Sequence, residues 1–242
     1  MINEVRNTVL TLLNKNNFGY LSPSDFNLLA EQAQLDIFET YFYDYNRQIN
    51  QQNNRLGRLS GSGYADLKKQ LAEVIDTFTT QATLTQAINV YALPSDWYTL
   101  LDVLNGTTII ERVNETKINL LNNSNLTAPS VEFPAYVLTP LTTTPPVTTS
   151  NSLSVYPTTI TSDLTLQYIR YPLAPKWTYT TLSGGAPVFN SSVSDYQDFE
   201  LPLSDQSELI YRILKGAGLS IREKEVIDVA ASSEVLNIQN EQ

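Results

Sequence analysis

The sequence lacks two residue types that carry much of protein chemistry: its 242 residues include no cysteine and no histidine. Without cysteine there are no disulfides and no thiolate nucleophiles. Without either residue, zinc sites of the usual ligands and histidine acid–base catalysis are excluded as well. The absence of cysteine fits any cellular compartment and selects none.

Long apolar runs and positive charge are also scarce. No stretch approaches the roughly 20 apolar residues that a membrane span requires. The first residues carry neither a basic nor an apolar region, so we expect no signal peptide. Lys and Arg number 15 against 25 Asp and Glu, which gives a net charge of −10. Such a balance disfavours a module that grips DNA phosphates and suits a surface that lets DNA pass.

The residues that are present describe a folded chain. Hydrophobic residues make up 42% and charged residues 17% of the sequence, so the surface is dominated by uncharged polar side chains. At this length we expect one large domain or two small ones with a substantial core.

The strongest signal is a long helix from Ser22 to about Ile49. Ser22, Pro23 and Asp25 form a helix start, with a capping oxygen, a proline in the first turn and an acid at the positive end of the dipole. No glycine or proline interrupts the stretch before Gly57. Apolar side chains recur every four residues at Leu29, Ala33, Ile37, Tyr41, Tyr45 and Ile49. A helix of roughly 30 residues is about 45 Å long and needs a long partner.

The rest of the chain predicts an α+β fold. We expect an N-terminal helical bundle in 1–76, an inserted β-sandwich or barrel-like module in 77–200, and C-terminal helices in 201–242 that return to the bundle. Asn105-Gly106 is typical of a hairpin turn. Residues 139–152, rich in Thr, Pro and Ser, predict a long exposed loop.

Two C-terminal helices are predicted. Ser204-Asp205 begins the first, and Gly216 and Gly218 are expected to end it. Ser220, with Glu223 three residues later, is typical of a capping box that opens the last helix.

Candidate catalytic groups are few and have plain structural interpretations. Asp96, and the pair Asp195 and Asp198, contain the carboxylates that a hydrolase uses, but a cap at Asp96 and a solvated loop at the other two are favoured. Ser183-Gly184-Gly185 resembles part of a phosphate-binding loop, yet Pro187 follows where a lysine and a helix start are needed. We therefore predict no catalytic, cofactor-binding or metal-binding residues, and no enzyme.

The long helix also carries an aromatic ladder, which contains Phe38, Tyr41, Phe42, Tyr43 and Tyr45. Aromatic side chains can stack on nucleic-acid bases. Because Asp44 interrupts the ladder and basic neighbours are few, core or subunit packing is favoured.

A mild basic cluster surrounds the glycines that follow the helix; it comprises Arg47, Arg55, Arg58, Lys68 and Lys69. Acidic residues nearby reduce the net positive charge of the cluster. It predicts either a solvated face or a contact with an acidic partner.

Several stretches together resemble virion proteins of podovirus-like and crAss-like tailed phages. At the N-terminus they are Asn3-Glu4-Val5-x-Asn7-Thr8-Val9, Gly19-Tyr20-Leu21-Ser22-Pro23-x-x-Phe26-Asn27 and Ala33-Gln34-Leu35-x-Ile37-Phe38. At the C-terminus, Leu209-Ile210-Tyr211-Arg212-Ile213-Leu214-Lys215-x-Ala217-Gly218-Leu219-Ser220-Ile221-Arg222 is similar to the same group. These proteins are adaptor or ring components of the head-to-tail connector. The resemblance covers about the first 50 and the last 40 residues.

The resemblance implies a structural role in the virion, in a protein made in the cytoplasm of the host bacterium. It implies a ring, usually of twelve copies, that docks beneath the portal protein, touches adjacent tail proteins and continues the DNA channel without binding DNA specifically. Such a ring needs heterologous contacts, in which one face of each subunit meets a different face of the next. The interface residues we predict are Phe38, Tyr41, Phe42, Tyr45, Ile49, Ile221, Ile227, Val235 and Ile238.

Two other classes of function remain open at this point. The Thr-rich β module is compatible with a tail protein that binds a host receptor or carbohydrate, although N-terminal helices are unusual in such proteins. A cell-wall hydrolase with carboxylate catalysis is a third interpretation, and the missing pair of positioned carboxylates disfavours it.

Overall fold

A computed structural model of the chain describes residues 1–14, 21–56, 65–87, 90–142, 149–182 and 184–221. Five α-helices and eleven β-strands occur in these ranges: α1 (Ile2–Asn14), α2 (Pro23–Leu56), α3 (Ala65–Asp76), β1 (Thr79–Leu84), β2 (Gln86–Ala87), β3 (Val90–Ala92), β4 (Trp97–Asn105), β5 (Thr108–Ile109), β6 (Glu111–Arg112), α4 (Glu115–Asn122), β7 (Ala135–Thr142), β8 (Thr149–Tyr156), β9 (Leu164–Arg170), β10 (Tyr179–Thr181), β11 (Pro187–Phe189) and α5 (Gln206–Ile221). Helices, then strands, then a helix follow one another, which confirms the predicted α+β class.

The chain divides into two compact units. Unit 1 contains Met1–Val74 and Pro172–Gln242, and unit 2 is the continuous segment Ile75–Tyr171. Residues 172–200 therefore belong with the helices, whereas the sequence pattern grouped them with the strands. Their short strands and prolines look like the β module locally, but side chains of α1 and α2 bind them, among them Asn3, Asn27 and Gln34.

The helices of unit 1 form a bundle in which α5 packs against both α1 and α2. The predicted start of α2 is confirmed, because the Ser22 hydroxyl accepts a hydrogen bond from the backbone N–H of Asp25 at 3.1 Å. At 34 residues, α2 is about 51 Å long, somewhat longer than predicted. Its buried face comprises Phe26, Ala30, Ala33, Gln34, Ile37 and Phe38.

The prediction that Gly216 and Gly218 end a helix is wrong, because α5 continues through both to Ile221. A Cβ atom at Gly216 would lie 2.8 Å from Cδ2 of Leu29. This glycine therefore serves the close approach of α5 to α2 instead of terminating α5. Ser220, predicted to cap a last helix, lies within α5, and the rest of that predicted helix is outside the described residues.

Residues 172–200 have little regular structure, and polar side chains of α1 and α2 hold them in place. Gln34 is 1% exposed; its amide donates to the carbonyl of Leu173 at 2.8 Å and accepts from the N–H of Glu200 at 3.1 Å. Asn27 makes the same kind of pair with Trp177, accepting from its N–H at 2.9 Å and donating to its carbonyl at 3.3 Å. Each side-chain amide thus satisfies one backbone N–H and one backbone carbonyl, as a neighbouring strand does in a sheet.

Trp177 is the centre of this arrangement. Its indole N–H donates to the Asn3 side chain at 3.1 Å, and the Arg6 guanidinium lies 3.8 Å from the ring centroid. Tyr179 and Phe189 stack on the same ring at 5.6 and 6.0 Å between centroids.

Unit 2 consists of two sheets over one core. The strand orders are β1-β9-β4-β5 and β2-β3-β8-β7-β6; among the described strands, β6 and β7 pair in parallel and the other pairs are antiparallel. Val103 and Leu166 of the first sheet and Leu153 and Val155 of the second belong to the same buried cluster. Burial alternates along most of β9, as expected for a strand with one face on the core.

Two turn predictions in unit 2 have different outcomes. Asn105-Gly106 does form a hairpin, since β4 pairs with β5 and Gly106 has a φ of +61°. The predicted loop over 139–152 is wrong in extent, because β7 and β8 pair in register out to Thr142 and Thr149. Threonine and serine favour strands when a partner strand lies opposite, and Pro140 is accommodated within β7. Residues 143–148 lie outside the described part.

Candidate interaction surface

The long helix α2 continues for several turns after its buried face. Among the α2 side chains that the structure describes, Phe38 is the last buried one, and none from Glu39 to Arg47 is buried. Residues 39–56 therefore form eighteen further positions of helix, about 27 Å in length. A helix segment of this length without buried side chains in its described part offers surface to another molecule.

This projecting half of α2 carries aromatic side chains that are half-buried or exposed. Tyr41, Phe42 and Tyr45, which we call the aromatic row, are each half-buried, and Tyr43 beside them is 67% exposed. The Phe42 ring meets Phe38 edge to face at 4.9 Å between centroids. The row thus begins at the core and continues outward along the helix.

The base of the row is fixed by α5 and the turn before it. The hydroxyl of Tyr41 donates to the carboxylate of Asp205, and Arg212 donates to Thr40 at 3.2 Å and forms an ion pair with Glu208. These contacts hold the helix at residues 40 and 41. The aromatic side chains that follow are therefore presented from a fixed backbone.

The nine predicted interface residues fall into four groups, and the aromatic row is the first of them. Phe38 is fully buried and serves the core of unit 1, so a partner would meet the aromatic row instead. Ile49 and Ile221 are helical, but their side chains are outside the described part. Ile227, Val235 and Ile238 lie outside the described residues altogether.

A second apolar surface, which the sequence did not indicate, lies in unit 2. Five exposed apolar side chains occur from β5 to the loop before β7: Ile109 (63% exposed), Leu120 (67%), Leu126 (94%), Val131 (59%) and Phe133 (78%). We call the three that line one groove, Ile109, Leu126 and Phe133, the α4 patch. The groove that these three side chains line has a volume of about 600 Å³.

The groove is lined by both apolar and charged side chains. Val113, Ala135 and Leu121, which belong to a small core beneath α4, form part of the lining. Glu111 and Glu132 also line the groove, together with one lysine. Its volume lies within the range of pockets that accept small ligands or protruding side chains.

The loop that bears the patch is held by local hydrogen bonds. The Ser124 carbonyl accepts the N–H groups of Thr127 and Ala128 at 3.1 and 2.9 Å. The Ser130 hydroxyl accepts the N–H of Phe133 at 3.2 Å. Leu126 and Phe133 therefore remain exposed on a structured loop. Their irregular spacing explains why no periodicity in the sequence marked them.

The carboxylates considered for catalysis each have a structural partner. Asp96 accepts the Tyr168 hydroxyl at 3.1 Å, and Asp195 accepts the Lys176 ammonium at 2.7 Å. The hydrogen bond from Lys176 lowers the pKa of Asp195. A general acid needs a raised pKa. The lowered pKa of Asp195 instead suits an ionised carboxylate that accepts hydrogen bonds.

Asp198 was expected to lie in a solvated loop, but it is part-buried and binds the start of α1. Its carboxylate accepts the backbone N–H of Ile2 at 2.8 Å and the Met1 ammonium at 3.2 Å, and so caps α1 from a distant part of the chain. Burial raises the pKa of Asp198, but hydrogen bonds from the N–H groups of Ile2 and Phe199 and from the ammonium outweigh it and lower the pKa. Among the described residues, no group of three or more acidic side chains is arranged to hold a metal ion.

No protein-family model matches the chain, and a search of curated proteins gives no match either. None of the helices in the described ranges is long and apolar enough to cross a lipid bilayer.

Proposed function

We propose that this chain is a structural virion protein of a tailed phage that forms one ring of the head-to-tail connector. Twelve copies surround the channel, join the portal protein to the tail and let DNA pass during ejection. The projecting half of α2, with its aromatic row, is the observation that carries the proposal. None of the described side chains from Glu39 to Arg47 is fully buried, so this part of α2 has surface that another subunit could contact.

Two further features support the assignment. The net charge of −10 suits a channel wall that repels phosphates, so the DNA is not retained. The stretches that resemble connector proteins include the residues that build unit 1, since Ser22 caps α2 and Asn27 holds Trp177. We propose no catalytic activity, cofactor or metal.

Native mass spectrometry of the chain expressed with the portal protein of the same phage tests the proposal. We expect a closed complex that contains about twelve copies of this 27.1-kDa chain on each portal. The variant Tyr45→Asp should reduce assembly, whereas Leu28→Asp, at a position of α2 that is 68% exposed, should not. A chain that stays monomeric beside the portal contradicts the proposal.

The C-terminal residues provide a separate test of portal attachment. We propose that they dock on the portal as a helix in a groove. Deletion of 221–242 should abolish co-purification with the portal while the far-UV circular dichroism of the remaining helices persists. Unchanged co-purification would exclude this role.

Passage of DNA is testable with assembled rings. At physiological salt the rings should retain no duplex DNA in a filter-binding assay, because an acidic wall gains nothing from counterion release. Strong retention would contradict the proposed channel wall.

A further inference from the structure

We infer that β1 is an edge through which two copies of the chain associate, with the β1 strands of the two copies antiparallel to each other. Strand β1 lies at one end of the four-stranded sheet, and among the described strands β9 alone pairs with it. The inference goes beyond the proposed function and is independent of it. Neighbours in a cyclic ring are not related by a two-fold axis, so this pairing concerns the chain before it enters a ring.

Alternate backbone groups of β1 point away from β9. The N–H of Arg170 donates to the carbonyl of Phe78 at 3.1 Å, one step before the first pair of the β1–β9 register. Hydrogen-bonded and non-hydrogen-bonded pairs alternate in an antiparallel ladder, so the N–H and carbonyl of Thr79 face outward. The same alternation turns the backbone groups of Gln81 and Thr83 outward. In the described part of the chain, these outward groups have no hydrogen-bond partner.

Strand β1 lacks the features that protect other sheet edges. Residues 77–95 contain no charged side chain, and β1 contains no proline. Its register with β9 is unbroken, whereas the β4–β9 pairing has two irregularities. The outer strands β2, β5 and β6 are only two residues long. Exposed edges are normally short, bulged, charged or interrupted by proline, so an edge without these features favours pairing with another strand.

The sequence of β1 makes a second copy a partner that fits this edge. When two β1 strands run antiparallel with Gln81 opposite itself, Thr79 lies opposite Thr83 of the partner subunit. This register pairs the outward groups of all three residues, whereas one centred on a neighbouring residue leaves one of the three without a partner in β1. The three side chains are exposed, and threonine pairs across strands stabilise a sheet. A chain with a net charge of −10 therefore meets itself here without opposing charges.

The contact is small, which predicts weak and reversible association. A strand of six residues is about 20 Å long. Its edge covers less than the roughly 800 Å² that each partner buries in a stable interface. We therefore expect monomers in dilute solution and pairs in concentrated solution.

Site-resolved hydrogen exchange at several concentrations tests the pairing along the strand. The N–H groups of Thr79, Gln81 and Thr83 should exchange faster in dilute than in concentrated solution. Those of Thr80 and Ala82 point toward β9 and should be protected equally at every concentration, which makes them internal controls. Exchange of the outward groups that does not depend on concentration overturns the inference.

Charges placed at Gln81 provide the second measurement. Because this residue faces itself in the proposed register, Gln81→Lys alone opposes two positive charges and Gln81→Glu alone opposes two negative ones. Each variant should associate about two- to fivefold more weakly in sedimentation equilibrium, and an equimolar mixture should recover the association. Thr99→Lys is the matched control, since Thr99 is exposed on β4 in the same row of the sheet as Thr79, and it should have no effect.

The substituted sites are exposed, so folding is preserved and is checked by circular dichroism. A mixture that associates no better than either variant alone overturns the inference. A wild-type chain that stays monomeric at every concentration overturns it as well, and leaves the proposed function standing.

Discussion

Replacing Gln34 with alanine tests how residues 172–200 are held against the helices. The side chain is almost fully buried, and its amide satisfies the carbonyl of Leu173 and the N–H of Glu200. Alanine removes both hydrogen bonds and leaves two backbone groups without that partner. An unsatisfied buried group costs about 1–3 kcal/mol, and both groups here are part-buried, so we expect a loss of about 2–4 kcal/mol in the free energy of unfolding.

The same substitution two residues earlier is the matched control. Gln32 lies on the exposed side of α2 and donates to Asp36 at 2.9 Å, an i,i+4 contact worth about 0.2–0.5 kcal/mol. Since alanine is also the best helix former, Gln32→Ala should change stability by less than about 0.5 kcal/mol. The difference between the two variants isolates the buried amide from any effect on α2 itself.

Urea unfolding followed by circular dichroism gives the free energies, and hydrogen exchange locates the effect. Residues 172–200 should exchange faster in Gln34→Ala, while β4 and β9 of unit 2 should be unaffected. If Gln34→Ala and Gln32→Ala unfold at the same urea concentration, the role assigned to the amide is refuted.

Three further predictions concern other contacts. Because the pKa of Asp198 is lowered in the folded chain, the carboxylate stabilises the fold above its unfolded pKa of about 4, and that contribution is lost as the pH falls. Asp198→Asn should therefore destabilise most at neutral pH, and the difference from wild type should vanish in acid unfolding titrations. Gly106→Ala should cost about 1 kcal/mol because of its left-handed φ, whereas Gly184→Ala, which has no such φ and no close neighbour, should not, as thermal melts can show. Phe38→Ala should cost about 3–5 kcal/mol in urea unfolding, against less than about 0.5 kcal/mol for Tyr43→Ala.

Local signals in the sequence predicted local structure well. The capping oxygen of Ser22 acts on an N–H three residues away, and the turn at Gly106 depends on two adjacent residues. The α+β class followed in the same way, because helical and alternating periodicities occupy different parts of the chain.

Contacts between distant parts of the chain were not predictable in this way. Gln34 and Leu173 are 139 positions apart, and a single amide that binds a backbone group has no periodic signature. Gly216 shows a related limit, since a glycine that ends a helix and one that admits a neighbouring helix look the same in sequence.

The two candidate surfaces differ in the same way, because one has a local pattern in the sequence and the other does not. The aromatic row was predictable because it follows helical spacing from Phe38 onward. The α4 patch was not, because Leu126 and Phe133 lie on an irregular loop whose exposure depends on turns held by serines. Exposure of an apolar side chain is a property of the folded loop and leaves no pattern in the sequence.

The pairing of β1 with β9 has a consequence for the order of synthesis on the ribosome. Thr79 lies opposite Ile169, so unit 2 starts and finishes on neighbouring strands. All of its strands have emerged before α5 is made, and this unit can acquire its structure while translation continues. Unit 1 must wait, since α1 and α2 lack Trp177 and α5 until the later segment is translated. The nascent N-terminal helices therefore spend the longest time with their apolar faces uncovered, and exposed apolar surface of this kind favours non-native contacts.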